Sequence, residues 1–291
     1  MTENSQNNKV IAIVGPTASG KTAYSIELAE KLDGEIISAD SRLVYKGFDI
    51  GTAKPTIQER KNIPHHMIDI IEPEADYSVG LYAKEAKKII REILSRGKTP
   101  IIVGGTGLYT NVLLMNYDLP QVEPNYELRN QLKQENNLHE TLQELDIETA
   151  QTIEPQDRKK IIRAIEIIKT TGKKLSQVRG INQQEFEVEW LGRNFTREEL
   201  YQRINKRVDI MLEDGLIEET QKLLQKHGRI NNILYTIGYQ EMVAYLDGIL
   251  SLDEAVEKLK QNTRRYAKRQ LTWFRKNEKI QWNIYPETLK K

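Results

Sequence analysis

The feature of this 291-residue chain that most constrains its fold is a glycine-rich octapeptide, GPTASGKT, from Gly15 to Thr22. An apolar, β-branched run, Lys9–Val14, precedes it, and apolar residues at helical spacing follow it through Leu32. This order predicts a strand, a phosphate-binding loop and a helix, because loop N–H groups and the positive helix end then face one anion. The residues expected to bind a diphosphate are Gly15, Pro16, Thr17, Ala18, Ser19, Gly20, Lys21 and Thr22. The Thr22 hydroxyl is also the expected ligand of Mg²⁺, as in ATP-binding loops of this pattern.

Short apolar runs and amphipathic segments predict an α/β fold around this loop. Strands are expected at GEIISAD and at KTPIIVGGTGLY, with a helix at Tyr82–Arg96 between them. Alternating strands and helices indicate a parallel sheet that binds ligands at the carboxyl ends of its strands. The predicted fold class is therefore α/β, a P-loop parallel sheet core flanked by helices.

The character of the sequence changes near Met115. Residues from about 115 to 187 show no clear strand, and DRKKIIRAIEIIKTTGKKLS is an amphipathic helix that ends at Gly172. Another strand is expected at Val188–Leu191, and the chain after it is expected to be helical. The expected helices are Thr196–Asp214, Ile217–Lys226, Gln240–Leu246 and Asp253–Lys276. We therefore expect a P-loop core in 1–114, an all-helical insertion domain in 115–187, and core completion with a basic helical C-terminal region in 188–291.

Composition and charge limit the classes of protein that fit. Hydrophobic residues make up 38% and charged residues 29%, which is typical of a soluble globular chain. Cysteine is absent, which excludes disulfides and thiolate metal sites, and we expect a cytoplasmic protein without a membrane span or an export signal. The net charge is +1, but Lys258 to Lys279 contains nine basic residues and one acidic residue, a local charge of +8. This run predicts a polyanionic partner, although a solvated helix face also explains it.

A series of blocks occurs in a fixed order between about Lys9 and Lys276: GPTASGKT, SADSRLVYKGFDIGTAKP, PHHMIDI, PIIVGGTGLY, ELYQRINKRVDIMLEDGLIEE, TIGYQEM and NTRRYAKRQLTWFRK. With these blocks the chain resembles the bacterial tRNA dimethylallyltransferase (tRNA isopentenyltransferase) family. The resemblance implies transfer of a dimethylallyl group from dimethylallyl diphosphate to the exocyclic amine of the tRNA adenosine on the 3′ side of the anticodon. It also implies that the loop holds the departing diphosphate and that no ATP is consumed. We expect the protein to be a monomer.

Two other functions fit parts of the sequence. A small-molecule P-loop kinase would explain the loop, but such enzymes usually carry an apolar strand that ends in a metal-binding Asp. The candidate strand, Pro100–Val103, ends in GGTGLY without a carboxylate, although Asp40 after another strand could serve instead. A non-catalytic RNA-binding protein would explain the basic run and leave the loop with a structural role.

The resemblance assigns roles around the bonds that break and form. Asp40 matches the general base that accepts the amine proton, and Thr17 matches a loop threonine near the bridging oxygen. From the residues alone, Asp40 fits a helix cap equally well and Thr17 fits a simple turn. Arg203 and Arg207 lie four residues apart on one helix face, and the family places arginine from this helix near the diphosphate. The alternative is a surface pair bridged to acidic residues of the same helix.

The resemblance also implies a surface that binds the anticodon stem-loop of tRNA. The expected tRNA contacts are Asp40, Ser41, Arg42, Leu43, Thr106, Arg163, Arg264, Arg265, Lys268, Arg269 and Arg275. Leu43 stands where many family members have Gln, and we hypothesise that Arg42 compensates for the lost contact. Glycines around Thr106 either let RNA approach closely or serve only strand–helix packing. Trp273 and Phe274 are predicted to lie in the core, because aromatic residues at helical spacing are more often buried than bound to RNA.

Overall fold

The computed structural model describes residues 8–115, 117–118, 120, 122–178, 180–181 and 184–285. The chain divides into two compact units, one made of Met1–Leu114 with Glu185–Lys291 and the other of Met115–Gln184. The strands are β1 (Lys9–Val14), β2 (Gly34–Ser38), β3 (His65–His66), β4 (Thr99–Gly104), β5 (Tyr117–Asp118), β6 (Gly180–Ile181), β7 (Glu187–Phe195) and β8 (Gln281–Tyr285). The helices are α1 (Lys21–Leu32), α2 (Val79–Ser95), α3 (Gly107–Leu114), α4 (Tyr126–Gln134), α5 (Leu138–Leu145), α6 (Ile147–Thr152), α7 (Arg158–Thr171), α8 (Leu175–Val178), α9 (Arg197–Glu213), α10 (Leu216–His227), α11 (Asn231–Leu234), α12 (Tyr239–Leu246) and α13 (Leu252–Phe274).

The larger unit is built on a parallel six-stranded sheet in the order β3-β2-β4-β1-β7-β8. Strands β1, β2 and β4 are buried almost throughout, because helices cover both faces of a parallel sheet, and this explains their continuous apolar runs. All three lie where the sequence predicts strands, so the α/β fold class is confirmed. Since β2, β4 and β1 are neighbours, the turns that follow Ser38, Gly104 and Val14 meet at one edge of the sheet.

Three strands of this sheet differ from the prediction, and the first is the two-residue strand β3, which lies where no strand was expected. Strand β7 is longer than the predicted Val188–Leu191. Its full length was not predicted because Glu189 and Arg193, at less buried positions, interrupt the apolar pattern. Strand β8 pairs in parallel with β7, with Gln281 opposite Leu191, where only helix was predicted. The prediction of an entirely helical chain after β7 was therefore wrong. A five-residue edge strand has a weak local signal and depends on its neighbour for stability.

The C-terminal helices begin where their caps predict. Thr196 and Glu199 form a capping box at the start of α9, and Ser251 and Glu254 form another at the start of α13. Helices α9 to α13 share a buried cluster with Tyr45 and other residues that follow β2. This packing fixes α9 and α13 against the sheet edge where the loops meet. Among the described residues, no helix combines the length and the apolarity that crossing a membrane requires.

Helix α13 buries one stripe and exposes its basic face. Its buried residues are Ala255, Leu259, Ala267, Gln270 and Phe274. Phe274 is 1% exposed, as predicted, but Trp273 is 40% exposed, so its assignment to the core was wrong. A step of one residue turns an α-helix by about 100°, which moves Trp273 off the buried stripe.

The smaller unit contains α4 to α8 and a short antiparallel pairing of β5 with β6. The prediction of an all-helical insertion was therefore wrong, because strands of two residues are too short to show an alternating pattern in the sequence. Its apolar core includes Leu132, Leu142 and Ile161. Glu166 of α7 is fully buried and accepts hydrogen bonds from Arg129 Nε at 2.8 Å and from Arg163 Nη1 at 2.5 Å. Burying a carboxylate is costly unless it is paired, so these arginines stabilise the unit.

Candidate active site

The phosphate-binding loop has a backbone conformation that only small residues permit. Gly15 has a φ of +147°, and a Cβ added there would lie 2.2 Å from the carbonyl oxygen of Arg193 on β7. Gly20 has a φ of +76° and is the N-cap of α1. The loop therefore closes tightly over the end of the sheet, and the first residues of α1 line the cavity that it borders.

Lys21, the first residue of α1, brings a cation into this loop. Its Nζ donates a hydrogen bond to the carbonyl oxygen of Pro16 at 2.5 Å, so the side chain folds over the loop backbone. Burial and, to a smaller extent, Arg207 lower the pKa of Lys21 to about 7, while Asp40 acts in the opposite direction. A bound anion would favour the charged ammonium, so the loop gains positive charge as it binds one.

Arg207 of α9 brings a second cation to the loop. Its Nη1 donates a hydrogen bond to Thr17 Oγ1 at 3.1 Å. A guanidinium only donates, so the Thr17 hydroxyl accepts this bond and directs its own proton elsewhere. Burial lowers the pKa of Arg207, and the charge of Asp40 opposes that shift. The arrangement places a positive charge and a free hydroxyl proton beside the loop.

Arg203 lies one helical turn before this arginine and is more exposed. Its Nε donates a hydrogen bond to the carbonyl oxygen of Ala18 at 2.9 Å, and its guanidinium lies 4.3 Å from the ring centroid of Phe195. Asp209, one acidic residue of the alternative surface pair, binds Lys260 instead. Both arginines of α9 therefore contact the phosphate-binding loop, one deep in the cavity and one at its rim.

Asp40 lies in the turn after β2, at the sheet edge beside this loop. Its Oδ1 accepts a hydrogen bond from the backbone N–H of Arg42 at 2.8 Å, which makes the segment a turn. No helix begins in this segment, so the interpretation of Asp40 as a helix cap was wrong. The carboxylate lines the same cavity as Thr17 and Lys21.

One cavity of about 1200 Å³ connects these groups. The loop, the turn after β2, helix α9 and helix α13 all contribute to its wall. Such a volume exceeds what a diphosphate alone would fill and is larger than most small-molecule sites, which measure about 300 to 1000 Å³. The cavity therefore has room for an anion at the loop and for a second group beside Asp40.

The glycine-rich turn between β4 and α3 packs against the protein itself. A Cβ at Gly104 would lie 2.2 Å from the carbonyl oxygen of Ala39, and a Cβ at Gly107 would lie 2.1 Å from the ring of Trp273. The structure thus favours packing over close approach of RNA as the reason for these glycines. Thr106 Oγ1 accepts a hydrogen bond from the Ser41 N–H at 3.2 Å, which joins this turn to the one that carries Asp40.

The structure brings only some of the predicted tRNA-binding residues to the cavity. Those that line it are Asp40, Ser41, Arg42, Leu43 and Arg269. Arg42 also donates a hydrogen bond to Asn232 Oδ1 at 3.2 Å. Of the predicted tRNA contacts, four are exposed on α13 or just beyond its end: Arg265, Lys268, Arg269 and Arg275.

Two predicted tRNA contacts are held by other residues of the protein. Arg264 donates hydrogen bonds to Asn205 and Glu257, both at 2.8 Å. Arg163 of the smaller unit binds the buried Glu166 and donates to the carbonyl oxygen of Val122 at 2.9 Å. Each of these arginines has a structural role, so a contact with RNA stays a prediction for both.

Gln270 and Tyr266 lie on the cavity side of α13, and neither was predicted as a site residue. Gln270 accepts a hydrogen bond from the Thr17 N–H at 2.8 Å and donates one to the carbonyl oxygen of Gly105 at 3.0 Å. Burial raises the pKa of Tyr266 to about 12, so its hydroxyl keeps its proton. The available signal was a glutamine in the stripe that Leu259 and Phe274 share, where an apolar residue is expected.

Fold and site together define an α/β phosphate-binding protein whose loop shares one cavity with a carboxylate and with arginines of a distant helix. A family model described as IPP transferase matches residues 43–277. The tRNA dimethylallyltransferase of Pelotomaculum thermopropionicum is 47% identical over 97% of this chain and 92% of that protein. The tRNA dimethylallyltransferase of Alkaliphilus oremlandii is 48% identical over 94% of this chain and 90% of that protein. The chain therefore belongs to the IPP transferase family, which confirms the resemblance.

Solved structures show the same relationship. A tRNA isopentenylpyrophosphate transferase from Bacillus halodurans superposes with a TM-score of 0.73 and 42% identity, over 95% of this chain and 90% of that one. A eukaryotic dimethylallyltransferase acting on tRNA superposes with a TM-score of 0.85 and 31% identity, over 95% of this chain and 74% of that one. The architecture described above is thus that of tRNA-prenylating enzymes.

Proposed function

We propose that this protein transfers a dimethylallyl group from dimethylallyl diphosphate to the exocyclic amine of the adenosine next to the anticodon of tRNA, on its 3′ side. The observation that carries the proposal is that Arg207 contacts Thr17 of the phosphate-binding loop, beside Lys21 of the same loop. Asp40 lines the same cavity. Family membership and the names of the curated relatives support the choice of donor and acceptor.

The loop side of the cavity suits a departing diphosphate. When the allylic C–O bond breaks, its electron pair stays on the diphosphate, where negative charge grows. Lys21 and Arg207 lie at the loop to stabilise that charge, and preorganised cations of this kind are a large part of catalysis. The Thr17 hydroxyl, which accepts from Arg207, can donate its proton in a hydrogen bond to the bridging oxygen.

The part of the cavity beside Asp40 suits an aromatic amine. The nitrogen lone pair attacks the allylic carbon that loses the diphosphate, and the nitrogen becomes more acidic as the new bond forms. Asp40 then accepts the proton, which restores a neutral amine. Its carboxylate is held in place by the hydrogen bond from the Arg42 N–H.

Magnesium fits this site through the substrate rather than through a protein cage. The described residues contain no cluster of three or more His, Asp or Glu that would hold a metal ion. The Thr22 hydroxyl borders the cavity and would complete a coordination shell made mainly of phosphate oxygens and water, as Mg²⁺ prefers. When bound, the ion would act as a Lewis acid that neutralises charge on the diphosphate.

Transfer RNA would meet the cavity with one base turned out of its stack, since the reacting amine must reach Asp40. Arg269 borders the cavity, and Arg265, Lys268 and Arg275 are exposed nearby in sequence. We propose that these residues bind RNA phosphates and that the smaller unit binds the anticodon stem. We also propose that the protein acts in the cytoplasm as a monomer.

Salt dependence should reveal the basic surface of α13. Replacing Arg265 and Lys268 together with glutamine should lower the slope of log Kd against log salt by about 1.5 to 2, because roughly one counterion is released per phosphate contact. Filter binding of tRNA between low and moderate salt measures the slope. Lys31→Gln, which removes an exposed charge of α1 outside the basic run Lys258–Lys279, is the control and should keep the wild-type slope. An unchanged slope in the double variant would exclude these residues from the RNA surface.

Binding of the donor should take up a proton. At about pH 8.5 Lys21 is mostly neutral, and a bound diphosphate that restores its charge takes up close to one proton per site. Calorimetric titration of dimethylallyl diphosphate in buffers of different ionisation enthalpy measures this number. Lys21→Arg stays charged throughout and should take up almost none. Equal uptake by the two proteins would show that Lys21 does not meet the diphosphate.

Label transfer tests the proposed function. Purified protein is incubated with dimethylallyl diphosphate labelled in the prenyl group, Mg²⁺ and unmodified tRNA that carries adenosine beside the anticodon. We expect label in the RNA, and none when that adenosine is replaced by guanosine. A parallel incubation with ATP tests the alternatives. Phosphorylation of a small molecule there, without any labelled RNA, would favour the P-loop kinase. Binding of tRNA without either reaction would favour the non-catalytic RNA-binding protein.

A further inference from the structure

Gln270 joins three segments at the centre of the site. Its side chain lies on α13 and is 5% exposed. Oε1 accepts the hydrogen bond from the Thr17 N–H in the phosphate-binding loop, at 2.8 Å, and Nε2 donates to the carbonyl oxygen of Gly105 after β4, at 3.0 Å. One amide atom accepts and the other donates, so the side chain has a single orientation that satisfies both partners.

The turn after β4 has no side chain where Gln270 reaches it. A Cβ at Gly105 would lie 2.1 Å from Gln270 Nε2, too close for both to be present. The glycine thus gives the amide direct access to the backbone of the turn.

The bond from Gln270 fixes the loop residue that carries the reactive hydroxyl. The Thr17 N–H points to Gln270 and the Thr17 Oγ1 accepts from Arg207 at 3.1 Å, so backbone and side chain are held from two sides. With Oγ1 accepting from the guanidinium, only the direction of the hydroxyl proton remains free. The two bonds together hold Oγ1 in one position, from which its proton can be donated to a bound diphosphate.

We propose that Gln270 is a positioning residue for the leaving group, which acts by holding Thr17 so that its hydroxyl donates to the departing diphosphate. The inference rests on the proposed function and adds to it a residue on α13, the helix that carries the exposed basic surface. Loss of the amide would leave the loop able to bind diphosphate, through Lys21 and the loop N–H groups, but with the hydroxyl misplaced. The effect belongs to kcat and not to the affinity for either substrate.

A double-mutant cycle between Gln270 and Thr17 tests this inference. Thr17→Val should lower kcat about 100-fold, Gln270→Met about 30-fold, and the double variant about 100-fold, because a hydroxyl that is already misplaced has little left to lose. Independent residues would give about 3000-fold in the double variant. Binding of dimethylallyl diphosphate and of tRNA should change less than about threefold in each protein.

Two further variants make the result decisive. Gln261→Met removes an exposed glutamine from the same helix and should keep wild-type kcat. Gln270→Glu keeps the acceptor for the Thr17 N–H and loses the donor to Gly105, so its kcat should lie between those of the wild type and Gln270→Met. If Gln270→Met does not fold, Gln270→Glu takes its place in the cycle. The inference would be overturned if the losses of kcat in the two single variants multiplied in the double variant, or if Gln270→Met kept a kcat within twofold of wild type. Label transfer by the wild-type protein would still support the proposed function in either case. Failure of the wild-type protein to transfer label would instead remove the proposed function.

Discussion

Replacing Asp40 with asparagine should remove most turnover and leave tRNA binding intact. Asparagine keeps the shape of the side chain and an oxygen that accepts from the Arg42 N–H, so the turn after β2 is preserved. It cannot accept the proton of the amine, and a positioned general base contributes about 10²- to 10⁴-fold to a rate. Single-turnover transfer of label to saturating tRNA measures the chemical step, and filter binding measures the affinity.

A matched control separates loss of the base from loss of charge. Asp33→Asn removes an acidic side chain that is 79% exposed at the end of α1, outside the cavity, and should transfer label at the wild-type rate. If Asp40→Asn turned over within threefold of wild type, Asp40 would not be the base. The non-catalytic alternative predicts that Asp40→Asn changes stability at most.

Replacing Arg207 with methionine should lower kcat/KM for the donor by about 10²- to 10³-fold, the range found when one preorganised donor to a developing anion is removed. The reason is the position of Arg207, whose guanidinium contacts Thr17 Oγ1 in the phosphate-binding loop. Burial lowers the pKa of Arg207, and the charge of Asp40 opposes that shift. Such a cation, partly desolvated, interacts strongly with a diphosphate. Initial rates at varied dimethylallyl diphosphate measure the loss.

Arg203→Met is the matched comparison for this prediction. Arg203 is exposed, donates to the carbonyl oxygen of Ala18 and packs on Phe195, so it supports the loop from the rim. We expect its loss to cost less than about tenfold, because water screens exposed charges. Equal losses in the two variants, or a larger loss for Arg203, would reverse the assignment of the arginine that meets the diphosphate.

Local sequence signals were sufficient for the parts of the fold that are encoded locally. The phosphate-binding loop and the capping boxes at Thr196 and Ser251 depend on a few adjacent residues, and each appears where its pattern lies. Strand β8 was missed because its stability comes from pairing with β7, which lies far away in sequence. A contact between distant segments produces no periodic pattern in the sequence of either segment.

The same distinction separates the predicted from the missed residues of the site. Lys21 and Thr17 belong to a motif, and the spacing of Arg203 and Arg207 shows a shared helix face, although only the resemblance indicated what that face contacts. Gln270 was missed because its partners, the Thr17 N–H and the Gly105 carbonyl, are backbone groups that any residue type supplies. Similarly, the glycines after β4 make room for side chains of α13, and no local pattern identifies what fills the space beside a glycine.

The central claim is that the phosphate-binding loop holds the leaving diphosphate of a prenyl donor and not ATP. Its most direct test is a reaction with tRNA, Mg²⁺ and dimethylallyl diphosphate in which nucleotides are absent, followed by measurement of inorganic diphosphate and of prenylated adenosine from digested tRNA. We predict equal molar amounts of the two products, and no increase when ATP is added. A requirement for ATP, or prenylated adenosine without release of diphosphate, would contradict it.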